Sequence, residues 1–590
     1  MLKISKAALV AAVLSLSTIP TIGVVSALAQ DTTTTTTTGF TTKLSIPTIT
    51  AVASTMDDSA LRDALTGGFM KHVDEIAKLS ATSITIPEIS LTMSVTTGDA
   101  PVTSTMTYKD IVLTDVKDGV AASASVGSAE TSTAEGSFKF GKMSTSTLDF
   151  GGILGLYSLV PNGGADQPMK VLYKDFAFEG GSFGGPKANC TFGKVIAAEF
   201  DARPLKVSFA ALMEASQKMS ASKDNPPPEA VATFVGFMAD MFQAFKSEPL
   251  HMDGLSCSGT GDNDKPFELK IGGVTMDGYS PGIYPAITLN DLKISDGGAD
   301  SITLAEASIK SIDLSAPIKV VEEQGSNLDP AWVEKNYRKL IPAFGGFSLS
   351  GLAIDIPDPD KPGERINANI AKFDVSLSDY LNGIPTKIAT SASGVEVPLP
   401  ASSEDDNVKM LLALGITKVN LGYEIAANWD KASQTINLTK VSVSGEDLGG
   451  FAVATVIGNA AEQLFDPDNN VALAAAMGVT IKSITINAAD AGIGDKLVPM
   501  LAAQQNADPA NFRSQMAGVA EGAALQMLGS TDAARQLGVA VGDFIGGKAK
   551  ALTINVVAKD PSGIPVPVLM QASNDPTTLT QAVDITGSAQ

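Results

Sequence analysis

Apolar side chains recur at every second residue along much of this chain. Ile89, Leu91, Met93 and Val95 alternate with polar partners, Ile302 and Leu304 start another run, and Ile436, Leu438, Val441 and Val443 lead into Phe451 and Val453. Alternation puts all the apolar groups of a strand on one side of it. Strands of that kind build antiparallel sheets with one covered face and one solvated face. Between them lie segments of helical spacing. Leu61, Leu65, Phe69, Val73 and Ile76 predict a helix over 59–79 with Ser59 as its N-cap. Further helices are expected over 208–221, over 228–245 behind Pro226-Pro227-Pro228, and over 329–340, where Asp329 caps and Pro330 takes the first position.

Some of these units look alike. Tyr108-Lys109-Asp110 resembles Tyr173-Lys174-Asp175, and Leu289-Asn290-Asp291 is a looser copy. Each precedes a Gly/Asp-rich turn and a second strand. Two of the second strands end alike, in Ala202-Arg203-Pro204-Leu205-Lys206-Val207 and Ser315-Ala316-Pro317-Ile318-Lys319-Val320. A helical segment follows each. The expected fold is therefore α+β: elongated antiparallel sheets built from repeated strand-turn-strand-helix units over 57–456. Ile356 to Glu364 reads as an exposed hairpin turn. From 457 to 590 a helix-rich C-terminal α+β region is expected, with a helix over 459–477, a strand through Val479 to Ile486, and three helices as a cover. The clearest of these has Asp508 as N-cap, Pro509 next and Gly529 as its stop, with Thr531 or Ser530 capping the next.

The N terminus reads as a targeting segment. Lys3 and Lys6 precede the apolar run Ala7–Leu16, and Ala27-Leu28-Ala29 is a small-x-small cleavage site, so residues 1–29 are read as a signal peptide. A retained anchor is the alternative. Residues 30–56, with threonines at 32–38, form a flexible leader. No later stretch is apolar for the ~18 residues a spanning helix needs, so no integral membrane span is expected after cleavage. Export predicts a periplasmic location first, an extracellular or surface one second. In such a compartment Cys190 and Cys257, the two cysteines of the chain, are expected to form a disulfide. Two separately buried thiols are the other reading.

Composition excludes several classes of activity. The chain of 590 residues carries a net charge of −22, which becomes −24 once Lys3 and Lys6 are removed. So acidic a balance argues against nucleic acid as a partner, because phosphate neutralisation needs clustered Lys and Arg. Two histidines leave little for a metal centre. Gly180-Gly181-Ser182-Phe183-Gly184 matches G-x-S-x-G, but a strand follows where a nucleophile elbow needs a helix. His72 and His251 both sit in contexts that look structural. Asp466-Pro467-Asp468-Asn469-Asn470 begins like a calcium loop but has Val471 at the sixth position and Met477 at the twelfth. Asp262-Asn263-Asp264 and Asp358-Pro359-Asp360 are incomplete in the same way. Trp332 and Trp429 read as packing residues. No cofactor, metal or catalytic residue is assigned.

Short motifs resemble the AsmA-like bacterial envelope proteins. They are Asp291-Leu292-Lys293-Ile294-Ser295-Asp296-Gly297, Ser350-Gly351-Leu352-Ala353-Ile354, and Ser444-Gly445-Glu446-Asp447-Leu448-Gly449 leading into Phe451 and Val453. The resemblance spans about residues 84–457. It implies long curved β-sheets and lipid handling in the Gram-negative envelope. The first expectation is therefore an exported, non-enzymatic envelope protein that binds a lipid or other hydrophobic ligand in a groove between sheet and helices. A structural or adhesive cell-surface protein is the alternative, and a hydrolase the second alternative. Oligomeric state stays open.

Overall fold

The computed structural model describes residues 40–96, 101–133, 136–222, 226–261, 265–296, 298, 300–325, 330–358, 361, 363–529, 531–572 and 581–590. The targeting segment, the threonine tract, Asp262-Asn263-Asp264, Asp329, Pro359-Asp360 and Ser530 lie outside the described residues. Strand holds 47% of the chain and helix 29%, so this is an α+β protein with large antiparallel sheets. The chain makes two compact units. The first runs to Ser301 and includes 318–329; the second holds 302–317 and 330–590.

The first unit carries a ten-strand antiparallel ladder. Its strands are β1 (Phe40–Ser45), β2 (Ala81–Thr96), β3 (Pro101–Lys117), β4 (Ser128–Thr133), β5 (Gly136–Phe140), β6 (Gly181–Gly184), β7 (Ala188–Phe192), β8 (Leu250–Thr260), β9 (Pro266–Met276) and β10 (Ile287–Ser295). Each pairs with the next in chain order. The expected helix over 59–79 is two helices, α1 (Asp58–Thr66) and α2 (Phe69–Ala77). Gly67 breaks it with φ +149°, a conformation that side chains avoid. The cap is Asp57, whose carboxylate accepts from the Ala60 N–H at 2.8 Å, and not Ser59. These helices close a core on the start of β2 and the end of β3, with Leu61, Ala64, Leu79, Ile84, Ile86 and Val116 all buried. A second core gathers Leu156, Leu172, Ala202, Leu205 and Ala244 near α3 (Phe209–Ala221) and α4 (Pro228–Met241). Ser208 caps α3, and α4 stops at Met241, short of 245, where a strand over Phe245–Ser247 takes over.

The second unit repeats the architecture with nine strands: β11 (Gly346–Pro357), β12 (Arg365–Leu381), β13 (Ile384–Pro398), β14 (Lys418–Asp430), β15 (Thr435–Gly445), β16 (Gly449–Gly458), β17 (Thr480–Asp490), β18 (Ala551–Ala558) and β19 (Val583–Ala589). Again each pairs antiparallel with the next in chain order. Pro357 pairs with Arg365, so the expected turn over 356–364 joins β11 to β12. The expected helix over 329–340 is α5 (Pro330–Asn336) followed by a 3₁₀ turn over Tyr337–Leu340. The helix expected over 459–477 is shorter too. Pro467 cannot continue a helix, so a 3₁₀ turn (Glu462–Phe465) precedes α6 (Asn469–Met477). Three helices then follow: α7 (Ile493–Gln504), α8 (Pro509–Leu528) and α9 (Asp532–Ile545). Asp508 and Thr531 cap α8 and α9 through their side-chain oxygens. The three helices pack on one another, and α9 lies on β18 and β19. The position 457 falls inside β16.

Candidate functional site

Residues directly opposite each other in an antiparallel ladder share a face. Following the register from strand to strand therefore shows what each face presents. In the first unit one row runs Leu44, Leu91, Met106, Thr131, Phe138, Phe183, Cys190, Cys257, Leu269, Ile294 across all ten strands. The adjacent row on the other face runs Ser45, Ser90, Thr107, Glu130, Lys139, Ser182, Thr191, Ser256, Lys270, Lys293. One residue of shift takes the sheet from almost wholly apolar to wholly polar. The second unit does the same. Leu349, Phe373, Ala392, Tyr423, Val443, Phe451, Ala488, Leu552 and Ala589 form one row. Phe347, Val375, Thr390, Ile425, Val441, Val453, Ile486, Ile554 and Gly587 form the next on that face.

What distinguishes this apolar face is how little of it is covered. The alternation predicts a covered face; instead, much of it is half-exposed. In the second unit Phe347 is 41% exposed, Val443 51% and Phe451 48%, and Leu421 and Ile425 beside them are exposed as well. Helices α7–α9 pack on one another and on the last strands and not on β11–β16, and among the described residues the buried apolar cluster of this unit is Val498, Ala502 and Phe512, in those helices. Burying a large apolar side chain is worth about 1.5–3 kcal/mol, so a multi-strand face left half-open forgoes a large stabilisation. Monomeric soluble proteins seldom leave contiguous apolar surface open to water. In the first unit, the helical cores close one end of the strands and leave the row at Leu91 and Met106 only half-buried.

The disulfide belongs to this face. Cys190 and Cys257 stand opposite each other on β7 and β8 and are joined, with an S–S distance of 2.09 Å. Beside them lies an aromatic cluster. Phe138 stacks on Phe183 at 5.9 Å, and Phe178 meets Phe192 at 5.5 Å and Phe140 at 5.8 Å. Gly181 explains the G-x-S-x-G pattern physically. A Cβ there would sit 2.4 Å from the Lys139 carbonyl and 3.0 Å from the Phe192 ring. The segment is the hairpin partner of β7, and Ser182 points to the polar face between Lys139 and Thr191. Neither histidine partners it. His72 bonds Glu75 at 2.6 Å and Asp63 at 3.1 Å, and those two hydrogen bonds raise its pKa above the ordinary value. His251 lies between Thr275 and Asp253.

The aspartates of the three similar segments share an unusual backbone. Asp110, Asp175 and Asp291 have φ of 53°, 50° and 53°. Asp is one of the few residues that tolerate this region. Each kinks its strand, and the chain opposite must come close. A Cβ at Gly127 would meet the Asp110 Cβ at 2.9 Å, and one at Gly272 would meet the Asp291 Cβ at 2.8 Å. In the second unit Gly394 (φ 60°) plays this part, with the register slipping between Ala392 and Val395. Two shallow depressions of about 310 and 340 Å³, of mixed polar and apolar lining, adjoin that kink and share Gly394 and Asn420. Their acids are engaged: Glu446 accepts from Asn420 at 2.7 Å, and Glu396 pairs with Lys418 at 3.0 Å.

No group of three or more potential metal-ligating side chains occurs among the described residues. The aspartates of the loop at 466–470 act as turn and cap acceptors. Asp466 takes the Asp468 N–H at 2.8 Å, and Asp468 takes that of Asn470 at 2.9 Å. Trp429 donates to the Ala460 carbonyl at 2.7 Å and packs on Phe465, ring centres 4.9 Å apart. The polar face carries cross-strand ion pairs such as Lys109–Glu130 and Lys440–Glu424, both 2.7 Å. Their mutual hydrogen bond raises the Lys109 pKa and lowers that of Glu130. Among the described residues no helix is long and apolar enough to cross a membrane.

Sequence reasoning found the alternation but not the open face. Alternation reports which side a residue takes, whereas cover depends on where distant helices pack. A family model described as "Uncharacterized protein" matches residues 442–590, from within β15 through the three helices to the last strand. No curated protein and no solved structure matches the chain.

Proposed function

We propose that this chain is an exported, non-enzymatic envelope protein that holds the acyl chains of a lipid against its apolar sheet face. The observation that carries this reading is the pair of adjacent apolar rows crossing all nine strands of the β11–β19 ladder, with Phe347, Val443 and Phe451 about half exposed. Acyl chains are the chemistry that fits. The rows offer methyl, methylene and aromatic groups, and their polar atoms at Thr390 and Tyr423 bond each other at 3.0 Å. Covering such a face with hydrocarbon removes apolar area from water at about 25 cal/mol per Å². The polar face stays hydrated. Export is supported by the N-terminal segment at 1–29 and by the joining of Cys190 to Cys257. The common left-handed aspartates at 110, 175 and 291 support an origin in repeated strand-turn-strand-helix units.

The test is binding of a fluorescent phospholipid by the delipidated chain, together with lipid extraction from the protein as purified. The expected outcome is extractable phospholipid and saturable uptake, reduced at least about tenfold by Val443→Asp with Phe451→Asp. Both positions are half-exposed, so the variant is expected to keep its fold. Absence of uptake, or uptake unchanged in the variant, refutes the reading.

A further inference from the structure

One end of the second unit carries apolar groups that no packing explains. Helix α6, Asn-Asn-Val-Ala-Leu-Ala-Ala-Ala-Met, contains no charged residue. Leu473 is 64% exposed and Met477 75%, one helical turn apart on one side. Water should select polar residues there. Beside α6 lies the turn after α5. Arg338 fixes it, donating to the Asp466 carbonyl at 2.9 Å and to Asn469 Oδ1 at 2.8 Å. This turn exposes Tyr337 (49%) and Ile341 (39%), and it brings Lys335 and Lys339, both exposed, to the same place. Neither lysine has a carboxylate partner among the described residues. Of the nearby acids, Asp466 and Asp468 cap backbone N–H groups and Glu462 pairs with Lys431 at 2.7 Å; Glu334 is exposed beside Lys335.

We propose that α6 and the 337–341 turn form a docking surface for an anionic phospholipid bilayer. Two observations select this occupant. The first is charge: three basic residues within five positions stand out in a chain of net charge −22, and they match anionic headgroups. The second is the residue mix. Exposed Leu473 and Met477 stand on α6, and exposed Tyr337, Lys335 and Lys339 on the segment that Arg338 ties to the start of that helix, a mix by which interfacial segments bury apolar tips below the headgroups while basic groups stay among them. The surface also adjoins the apolar face. Trp429, packed on Phe465 just before α6, stands in register with Ile436 and Ile457 of that face. A lipid leaving a docked bilayer would meet this end of the face first.

The experiment is co-sedimentation of the full chain with vesicles of phosphatidylglycerol and phosphatidylcholine, against vesicles of phosphatidylcholine alone. Binding is expected to the anionic vesicles and to weaken as salt is added. Leu473→Ser with Met477→Ser, and separately Lys335→Glu with Lys339→Glu, are each expected to lower affinity about tenfold or more at unchanged melting temperature. Docking does not rest on the lipid-uptake reading: Val443→Asp with Phe451→Asp should abolish uptake and leave sedimentation intact. Failure of the wild-type chain to bind anionic vesicles, or equal binding by both pairs of variants, overturns the proposal.

Discussion

The most buried charge in the first unit makes a sharp test of how its helices are attached. Asp240, on α4, is 2% exposed. Its Oδ1 accepts from Arg203 Nη2 at 2.7 Å and its Oδ2 from the Lys206 N–H at 2.6 Å. Arg203, itself 13% exposed, also donates to the Pro204 carbonyl at 3.0 Å. One carboxylate thus ties the 203–206 segment, which leaves the strand Val195–Ala202, to the end of α4, 34 residues beyond Lys206. Asp240→Ala removes both bonds and leaves a largely buried guanidinium without its counter-ion. Breaking such a pair costs about 3–5 kcal/mol. Asp240→Asn keeps an oxygen for the Lys206 N–H but loses the charge, so about 2–3 kcal/mol is expected. Arg203→Met with Asp240→Leu removes both charges. It should recover most of the loss, short of about 1–3 kcal/mol for the Lys206 N–H left without an acceptor. The assay is urea unfolding followed by circular dichroism, taking the transition of the first unit. A cost below about 1 kcal/mol for Asp240→Ala, or a double variant no more stable than that single one, would refute the account.

Two further outcomes follow from the structure. Cys190→Ala with Cys257→Ala opens a loop of sequence separation 67, for which loop-closure entropy gives a loss of about 4 kcal/mol; a melting curve that does not respond to either the substitution or reduction would contradict this. Asp490 gives a pH dependence. Burial alone would raise its pKa, but the Gly494 and Gly492 N–H groups and Lys550 outweigh burial and hold it below the ordinary carboxylate value. A depressed folded value stabilises above the unfolded pKa of about 3.9, and that contribution disappears as pH falls through the folded value. Asp490→Asn should therefore flatten the acid limb of the stability curve below about pH 4, and an unchanged limb would dismiss the ion cluster as its cause.

Much of the local structure was legible because its causes are local. Alternation located β2, β15, β16 and β17, since the period of a strand is a property of its own residues. Asp508 and Thr531 cap helices where the sequence places them, because a cap needs only a side-chain oxygen within three residues of its N–H. Where two local signals competed, reading by apolar period alone failed. Gly67-Gly68 splits the first helix and Pro467 shortens α6, although the apolar spacing runs through both. The resemblance among the three Asp-bearing segments was visible as letters. Its meaning, a left-handed kink set against a glycine at Asp110 and Asp291 and against Ser146 at Asp175, was not, since φ depends on the strand opposite.

The sequence by itself determined the two faces of the sheets. A shift of one residue exchanges Cys190 for Thr191 or Val443 for Ser444, and that parity changes only where a bulge interrupts a strand, as between Leu438 and Val441. It also left each cysteine a single possible partner within the chain. The tertiary structure decided which strands are neighbours, and therefore that the apolar sides join into continuous rows. It decided where the helices went as well: onto the ends of β2 and β3 and onto β18 and β19, leaving the face of β11–β16 half open. Cover is a tertiary property, set by packing between separate elements tens of residues apart. The same alternating strand serves a sealed core or an open apolar face, and only its neighbours tell the two apart.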